Sequence, residues 1–252
     1  LGEKEYKDGI NITPDQIYSW SDANKTTPKT SAPALSETIE LFRPYVEEGR
    51  NIVCFSISNS MSSSGNVMQL AAEELNAQDL ITVIDSANLS TGIGLLVIEA
   101  AILAQNNKTA AEISVAVENL KPYVRASFVV DTLTYLHRGG RCSAIAAMAG
   151  GLLKLHPQII VEHGAMKPTK KYRGKMDSVI LSYVKDMEPA LKHARPDRVF
   201  ITHSGCEPTI INAVRSYLEG LGIFREILET RAGGVISSHC GPGTLGVLFI
   251  ES

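Results

Sequence analysis

The sequence predicts an α/β protein, and three observations carry that prediction. Two short apolar runs, Asn51–Ser58 and Leu80–Asp85, each end in a polar turn that leads into a helical stretch. Runs apolar on both faces suit strands of a parallel sheet covered by helices. Beyond Lys121-Pro122-Tyr123 the pattern changes to strands and helices in mixed order. The chain has 252 residues, 44% of them hydrophobic and 20% charged, enough for a sizeable core in one large or two small domains.

The elements are justified in order. Thr26–Pro33 is a loop rich in proline and hydroxyls, because Pro28 and Pro33 disfavour helix on both sides. Ser36 is expected to open a helix, with Glu37 and Glu40 at its positive end. The strand at Asn51–Ser58 runs into Asn59–Gly65 and a helix near Asn66–Leu75. The strand at Leu80–Asp85 runs into Ser86–Thr91 and a long helix from Gly92 to Gln105. Thr109 followed by Glu112 is the spacing of a capping box, so a helix spans Thr109–Leu120.

In the second half, Ala126–Val130 reads as a strand, and His137–Ser143 as a basic, glycine-containing loop. Ala144–Leu155 reads as an apolar helix of small residues. Pro157–Glu162 and Met166–Tyr172 flank His163-Gly164 as a hairpin. Helices are expected at Lys175–His193 and Pro208–Leu218, and strands at Asp197–Thr202, Phe224–Thr230 and Leu245–Ile250. Between the last two strands, Gly233–Gly246 holds five glycines, Ser237, Ser238 and His239. It reads as a tight loop presenting His239 and free N–H groups.

Composition removes several function classes. A net charge of −3 gives no reason to expect nucleic acid or an anionic surface as the main partner. The four cysteines form no CxxC pair and read as reduced thiols of a cytoplasmic protein. Thr91–Gln105 is too short for a membrane span and carries Glu99. Leu1–Gly9 is too charged for a signal peptide, and the absence of an initial methionine suggests missing N-terminal sequence. Asp85, Asp131 and the histidines lack metal-ligand spacing, so no metal is expected. Gly92-Ile93-Gly94 lacks the third glycine of a dinucleotide fingerprint, and no P-loop or G-x-S-x-G elbow is present.

Three segments are candidates for one site. Thr30 and Ser31 lie in the proline loop, the serine run spans Ser58 to Ser64, and Ser237-Ser238-His239 lies near the end of the chain. A serine run beyond the carboxyl end of a strand, at a helix N-terminus, suits an anion. Ser62 and Thr30 would add hydroxyl donors without a buried arginine. The same serines equally serve as caps and turns. A small hydrolase using Ser62 and His239 is the alternative of another class, and a module that binds some other carboxylate ligand is a further one.

Taken in order, these segments resemble the DegV family, whose members are similar to the fatty-acid-binding subunits of bacterial fatty acid kinase. The resemblance rests on Thr30-Ser31-Ala32-Pro33, on Ser58–Gly65, on Asp85-Ser86 with Ser90–Gly94, on Thr132–Ser143 with its Gly-Gly-Arg, and on Ser237–Gly246 around His239. Three departures stand out: the family's first strand with Thr-Asp-Ser is absent, its Gly-Thr-Tyr is Ser63-Ser64-Gly65, and its Lys-Pro is His156-Pro157.

The resemblance implies a two-domain fold: a parallel-sheet N-terminal domain over residues 1–124, a mixed α/β domain over 125–252, and the ligand between them. It implies one long-chain, palmitate-like fatty acid and no other cofactor. The head group would be held by Thr30, Ser31, Ser62, Ser63 and His239, and the tail would run past Gly92–Ala104 or Ala144–Leu155. Arg141 and Arg173 would meet a phosphate or a partner. The implied protein is not an enzyme but a cytoplasmic carrier, with no catalytic residue of its own. It would present the acid to a separate kinase for acyl-phosphate formation and make transient membrane or acyltransferase contact.

Overall fold

The computed structural model describes residues 1–141 and 155–252. Its residues fall into two compact units. One comprises 31–124 with 162–165; the other comprises 1–30, 125–161 and 166–252. The expected apolar helix over Ala144–Leu155 lies outside the described residues, apart from Leu155, which begins a strand.

In the unit built from 31–124, β1 (Ile52–Ser56) and β2 (Ile81–Asp85) pair in parallel, with Ser56 opposite Asp85. Parallel neighbours need a crossover, which α3 (Ser64–Glu74) supplies. α3 packs on α2 (Leu35–Glu47), and Phe42, Ala71 and Ala72 share one apolar cluster with Ala77 and with Ile81 of β2. The small alanines on α3 allow that close approach. α2 starts one residue before Ser36, with Ala34 as an uncapped N-cap, so Ser36 is not the cap expected for it. α4 (Thr91–Gln105) buries Leu95 and Leu96 completely. α5 (Ala110–Leu120) has the expected capping box: Glu112 N donates to Thr109 Oγ1 at 3.2 Å, and Thr109 N to Glu112 Oε2 at 2.8 Å.

The other unit carries a six-stranded mixed sheet in the order β5-β4-β3-β8-β6-β7. The strands are β3 (Val124–Val129), β4 (Leu155–Glu162), β5 (Ala165–Arg173), β6 (Ala194–His203), β7 (Glu226–Arg231) and β8 (Leu245–Glu251). β3 and β4 are antiparallel, β6 and β7 parallel, β6 and β8 antiparallel. α7 (Met176–Asp186) and α9 (Pro208–Leu221) cover it with Ile180, Tyr183, Val214 and Leu218 against Ile201, Val247 and Phe249. The single helix expected over Lys175–His193 is two, α7 and the short α8 (Glu188–Leu191), because Pro189 has no N–H with which to continue the ladder.

Inside this core the Tyr183 hydroxyl donates to Ser127 O at 2.8 Å and accepts from Val247 N at 3.1 Å. Burial raises its pKa, so it stays a neutral donor and acceptor linking β3 and β8.

Other elements also depart from the sequence reading, and the loop expected from His137 begins within a helix that runs over Thr134–Gly139. α1 (Pro14–Asn24) had no assignment, although Thr13-Pro14-Asp15-Gln16 encodes a full capping box with proline in the first turn. The stretch expected as a tight glycine loop contains a helix, α10 (Gly234–Cys240). Its start is capped from far away: Gly234 N and Val235 N donate to the Asp8 carboxylate at 2.6 and 2.8 Å. A Cβ on Gly234 would lie 2.7 Å from Asp8 Oδ1, so this glycine makes room for the cap.

Candidate functional site

The site builds up from α10. That helix packs on α6 (Thr134–Gly139) and on α1, with Ile17, Tyr18 and Tyr135 forming a small apolar cluster. Tyr18 and Tyr135 meet edge to face at 6.4 Å, and Tyr18 Oη donates to Ser204 O at 3.2 Å. These contacts fix where α1 ends. From its left-handed C-cap at Lys25, a segment without regular secondary structure leads to Thr30.

There Thr30 Oγ1 lies 2.8 Å from His239 Nε2, joining residues 209 positions apart. Sequence reasoning had placed these two on the same site, and the fold brings them into hydrogen-bond contact. The His239 ring is largely buried. Burial first, and the Arg141 guanidinium second, push its pKa down to about 4, so the imidazole is neutral at physiological pH. Its other nitrogen, Nδ1, is buried without a hydrogen-bond partner among the described residues. The ring rests on Gly139 so closely that a Cβ there would lie 2.3 Å from Nδ1. Gly139 is the first glycine of the Gly-Gly-Arg motif, and a side chain there would press on the His239 ring.

Arg141 is exposed, and its Nη1 donates to Gly139 O at 2.7 Å. It thus braces the C-terminal end of α6, where a cation is favoured, and lends the His239 ring its positive field. Arg173 is exposed at the end of β5. Ser237 and Ser238, adjacent to His239, are buried and spend their hydroxyls on the backbone, Ser238 donating to Gly234 O at 2.7 Å.

The remaining predicted residues belong to the unit of residues 31–124. Ser31 is exposed in the proline loop. Ser62 Oγ pairs with Ser64 Oγ at 2.8 Å and accepts from Ser64 N at 3.2 Å, so it occupies the first free N–H of α3. Ser63 is the backbone N-cap, exposed and without a side-chain capping bond. Ser58 donates to Gly164 O at 2.7 Å, and Ser60 makes the same bond, so this part of the serine run holds a turn. The Asp85 carboxylate accepts from Ala87 N at 2.9 Å and Asn59 N at 3.3 Å, tying together the loops that follow β1 and β2.

Sequence reasoning missed two residues that shape the site, Asp8 and Gly139. Asp8 carries no local signal, because its partner is 226 residues away. Gly139 was visible as a motif position, but its role depends on what packs above it. Among the described residues no group of His, Cys, Asp and Glu could hold a metal, and no helix is long and apolar enough to cross a membrane.

Comparison with known proteins places this geometry in context. The family model described as "Uncharacterised protein, DegV family" matches residues 1–252. A DegV domain-containing protein of Clostridium perfringens is 32% identical over 256 residues, covering 99% of this chain and 87% of that protein. The fold is similar to that of a fatty-acid-binding DegV family protein from Thermus thermophilus, with a TM-score of 0.91 and 27% identity over 100% of this chain and 89% of the other. The Streptococcus pneumoniae Fatty Acid Kinase B3 protein, solved with linoleic acid, shares the fold at a TM-score of 0.86 and 20% identity, over 100% of this chain and 88% of the other.

Proposed function

Because the chain belongs to the DegV family, we propose that it binds one long-chain fatty acid and presents its carboxylate to a separate kinase. The observation that carries this reading is the Thr30–His239 pair: a hydroxyl and a neutral imidazole, joined at 2.8 Å and seated on a glycine. A neutral donor pair suits a head group that must be held yet stay open to attack. An arginine clamp would hold it more strongly and shield its oxygens. Affinity need not come from the head group, since burying a sixteen-carbon tail contributes about 11 kcal/mol gross at ~0.8 kcal/mol per methylene. The likeness to the Thermus thermophilus protein supports the ligand class.

In this reading Thr30 donates to the carboxylate, Ser31, Ser62 and Ser63 are further hydroxyl donors, and Arg141 and Arg173 meet a phosphate or a partner. The chain is a carrier. The partner kinase moves the γ-phosphoryl group of ATP onto a carboxylate oxygen, giving acyl phosphate and ADP, and this chain supplies only the oriented acid. The alternative, a hydrolase with Ser62 as nucleophile and His239 as the base that takes its proton, is disfavoured by the partners these groups have: Nε2 of His239 meets Thr30, and the Ser62 hydroxyl meets Ser64.

The test is direct. Purified protein incubated with palmitate and with oleate, then examined by native mass spectrometry, should carry one fatty acid. Protein of unchanged mass after both incubations would end the reading. Thr30→Ala together with Ser62→Ala should weaken uptake with little loss of fold, and equal affinity in that double variant would remove these residues from the site. Labelling of Ser62 by a serine-directed covalent probe would favour the hydrolase.

A further inference from the structure

The serine run and the tip of the β4–β5 hairpin meet within one compact unit, the one that joins residues 31–124 to 162–165. The tip is a two-residue turn, His163-Gly164, with φ of +50° and +78°, the pair of left-handed residues that a type I′ hairpin turn needs. His163 is exposed and Gly164 is buried. The Gly164 carbonyl accepts from two hydroxyls, Ser58 at 2.7 Å and Ser60, which together use both of its lone pairs. A Cβ on Gly164 would lie 2.6 Å from Ser58 Oγ, so space as well as φ requires glycine here. Ser58 is 2% exposed and its polar groups are all engaged. Its N–H donates to Asn88 O at 2.9 Å, and its carbonyl accepts from Met61 N at 2.9 Å and Ser62 N at 3.1 Å. Its hydroxyl accepts from Ser60 N at 3.3 Å while donating to the tip. The segment that leads through Ser62 and Ser63 into α3 is therefore closed on Ser58, and Ser58 is held by a carbonyl 106 positions away.

We propose that the tip of the β4–β5 hairpin is the support of the serine run: Gly164 O fixes Ser58 and Ser60, and these two position Ser62 and Ser63 for a ligand head group. Ser58 and Ser60 are positioning residues and do not touch the ligand. A run of serines has many competing hydroxyl bonds to its own backbone, so one arrangement must be selected by an acceptor fixed from outside. The downstream end of the run supplies no such anchor, since Ser62 spends its hydroxyl on Ser64 and Ser63 caps α3 without a side-chain bond. A buried hydroxyl deprived of the tip would be left unsatisfied, which ties the arrangement of the run to the presence of Gly164. Because two hydroxyls share one acceptor, either alone keeps part of the support. The role of Ser62 and Ser63 toward a head group rests on the fatty-acid reading; the support itself does not.

Hydrogen exchange on the whole chain tests the support without a ligand. In the double variant Ser58→Ala, Ser60→Ala the N–H groups of Met61 and Ser62 should exchange about tenfold faster than in wild type or more, a factor equal to ~1.4 kcal/mol, with those of β2 and α5 unchanged. Gly164→Ala disturbs the same contact from the tip and should speed the same two amides. His163→Asn, which keeps a residue tolerant of positive φ at the exposed position, should not. Wild-type exchange of Met61 and Ser62 in the double variant, or in a folded Gly164→Ala protein, would overturn the proposal. Palmitate affinity tests the positioning role. It should fall about tenfold or more in the double variant and less than about twofold in either single variant, because one hydroxyl still reaches the carbonyl. Faster exchange with unaltered palmitate affinity would refute the positioning of Ser62 and Ser63. A wild-type protein that takes up no palmitate would end the fatty-acid reading, and the exchange rates would still decide the support.

Discussion

Replacing Gly139 with alanine sets two physical effects against each other at one atom. The added Cβ would lie 2.3 Å from His239 Nδ1, 3.2 Å from Cε1 and 3.3 Å from Cγ. An ordinary contact needs about 3.4 Å or more, so the ring must retreat by about 1 Å. The retreat moves Nε2 relative to Thr30 Oγ1 and breaks or stretches their 2.8 Å bond. Losing a bond of this kind costs about 0.5–1.5 kcal/mol, and overpacking adds about 1–3 kcal/mol. Against this, alanine is favoured over glycine within a helix by roughly 0.5–1 kcal/mol. The balance predicts a net destabilisation of about 1–3 kcal/mol by urea denaturation. It also predicts a palmitate affinity reduced about tenfold, measured by displacement of a fluorescent fatty acid. A Gly139→Ala protein more stable than wild type, with unaltered affinity, would show that the helix term alone operates and that Gly139 does not seat His239.

Further expectations follow from the same structure. The folded-state pKa of His239, about 4, lies below the ordinary value near 6.5, so the unfolded chain binds more protons between these limits. Its contribution to stability is therefore complete above about pH 6.5 and lost as pH falls toward 4, by up to about 3 kcal/mol. Denaturation at pH 7 and pH 4.5 should show a drop that is smaller in His239→Gln; equal drops would assign the effect to other groups. Asp8→Ala removes the distant cap of α10 and should cost about 1–2 kcal/mol. Because that helix carries His239, fatty-acid affinity should fall as well, and unchanged stability would mean that water replaces the carboxylate. Tyr183→Phe strands the Val247 N–H and should destabilise by about 1–3 kcal/mol in thermal melts, without a specific effect on ligand.

The contrast between α5 and α10 explains how far the sequence could be read. Both ends of the α5 capping box lie within four residues, so the signal is local and the structure has it as expected. The parallel strands β1 and β2 were legible for a similar reason, since an apolar run bounded by turns states its burial on both faces. α10 has seven residues, two glycines at its start and a cap from residue 8. Propensity over so short and glycine-rich a stretch favours a loop. Only the arrival of Asp8 and the packing of α1 and α6 make it a helix.

The candidate site divides along the same line. Thr30, Ser62, Arg141 and His239 were named from motif order, because hydroxyls, glycines and a lone histidine are conspicuous in a chain of otherwise ordinary composition. Their chemistry was not legible. Residue type alone allowed His239 to be an acid, a base, a ligand contact or a structural hydrogen-bonder. What decided its neutral state was burial beside Arg141, and what decided its partner was a fold that brings Thr30 to 2.8 Å across 209 residues. Thus the sequence by itself determined the α/β class, most of the elements and the identity of the suspects. Tertiary structure decided protonation, pairing and the role of Gly139, because a pKa shift and a close approach depend on which groups surround an atom, and that is set by packing between segments far apart in the chain.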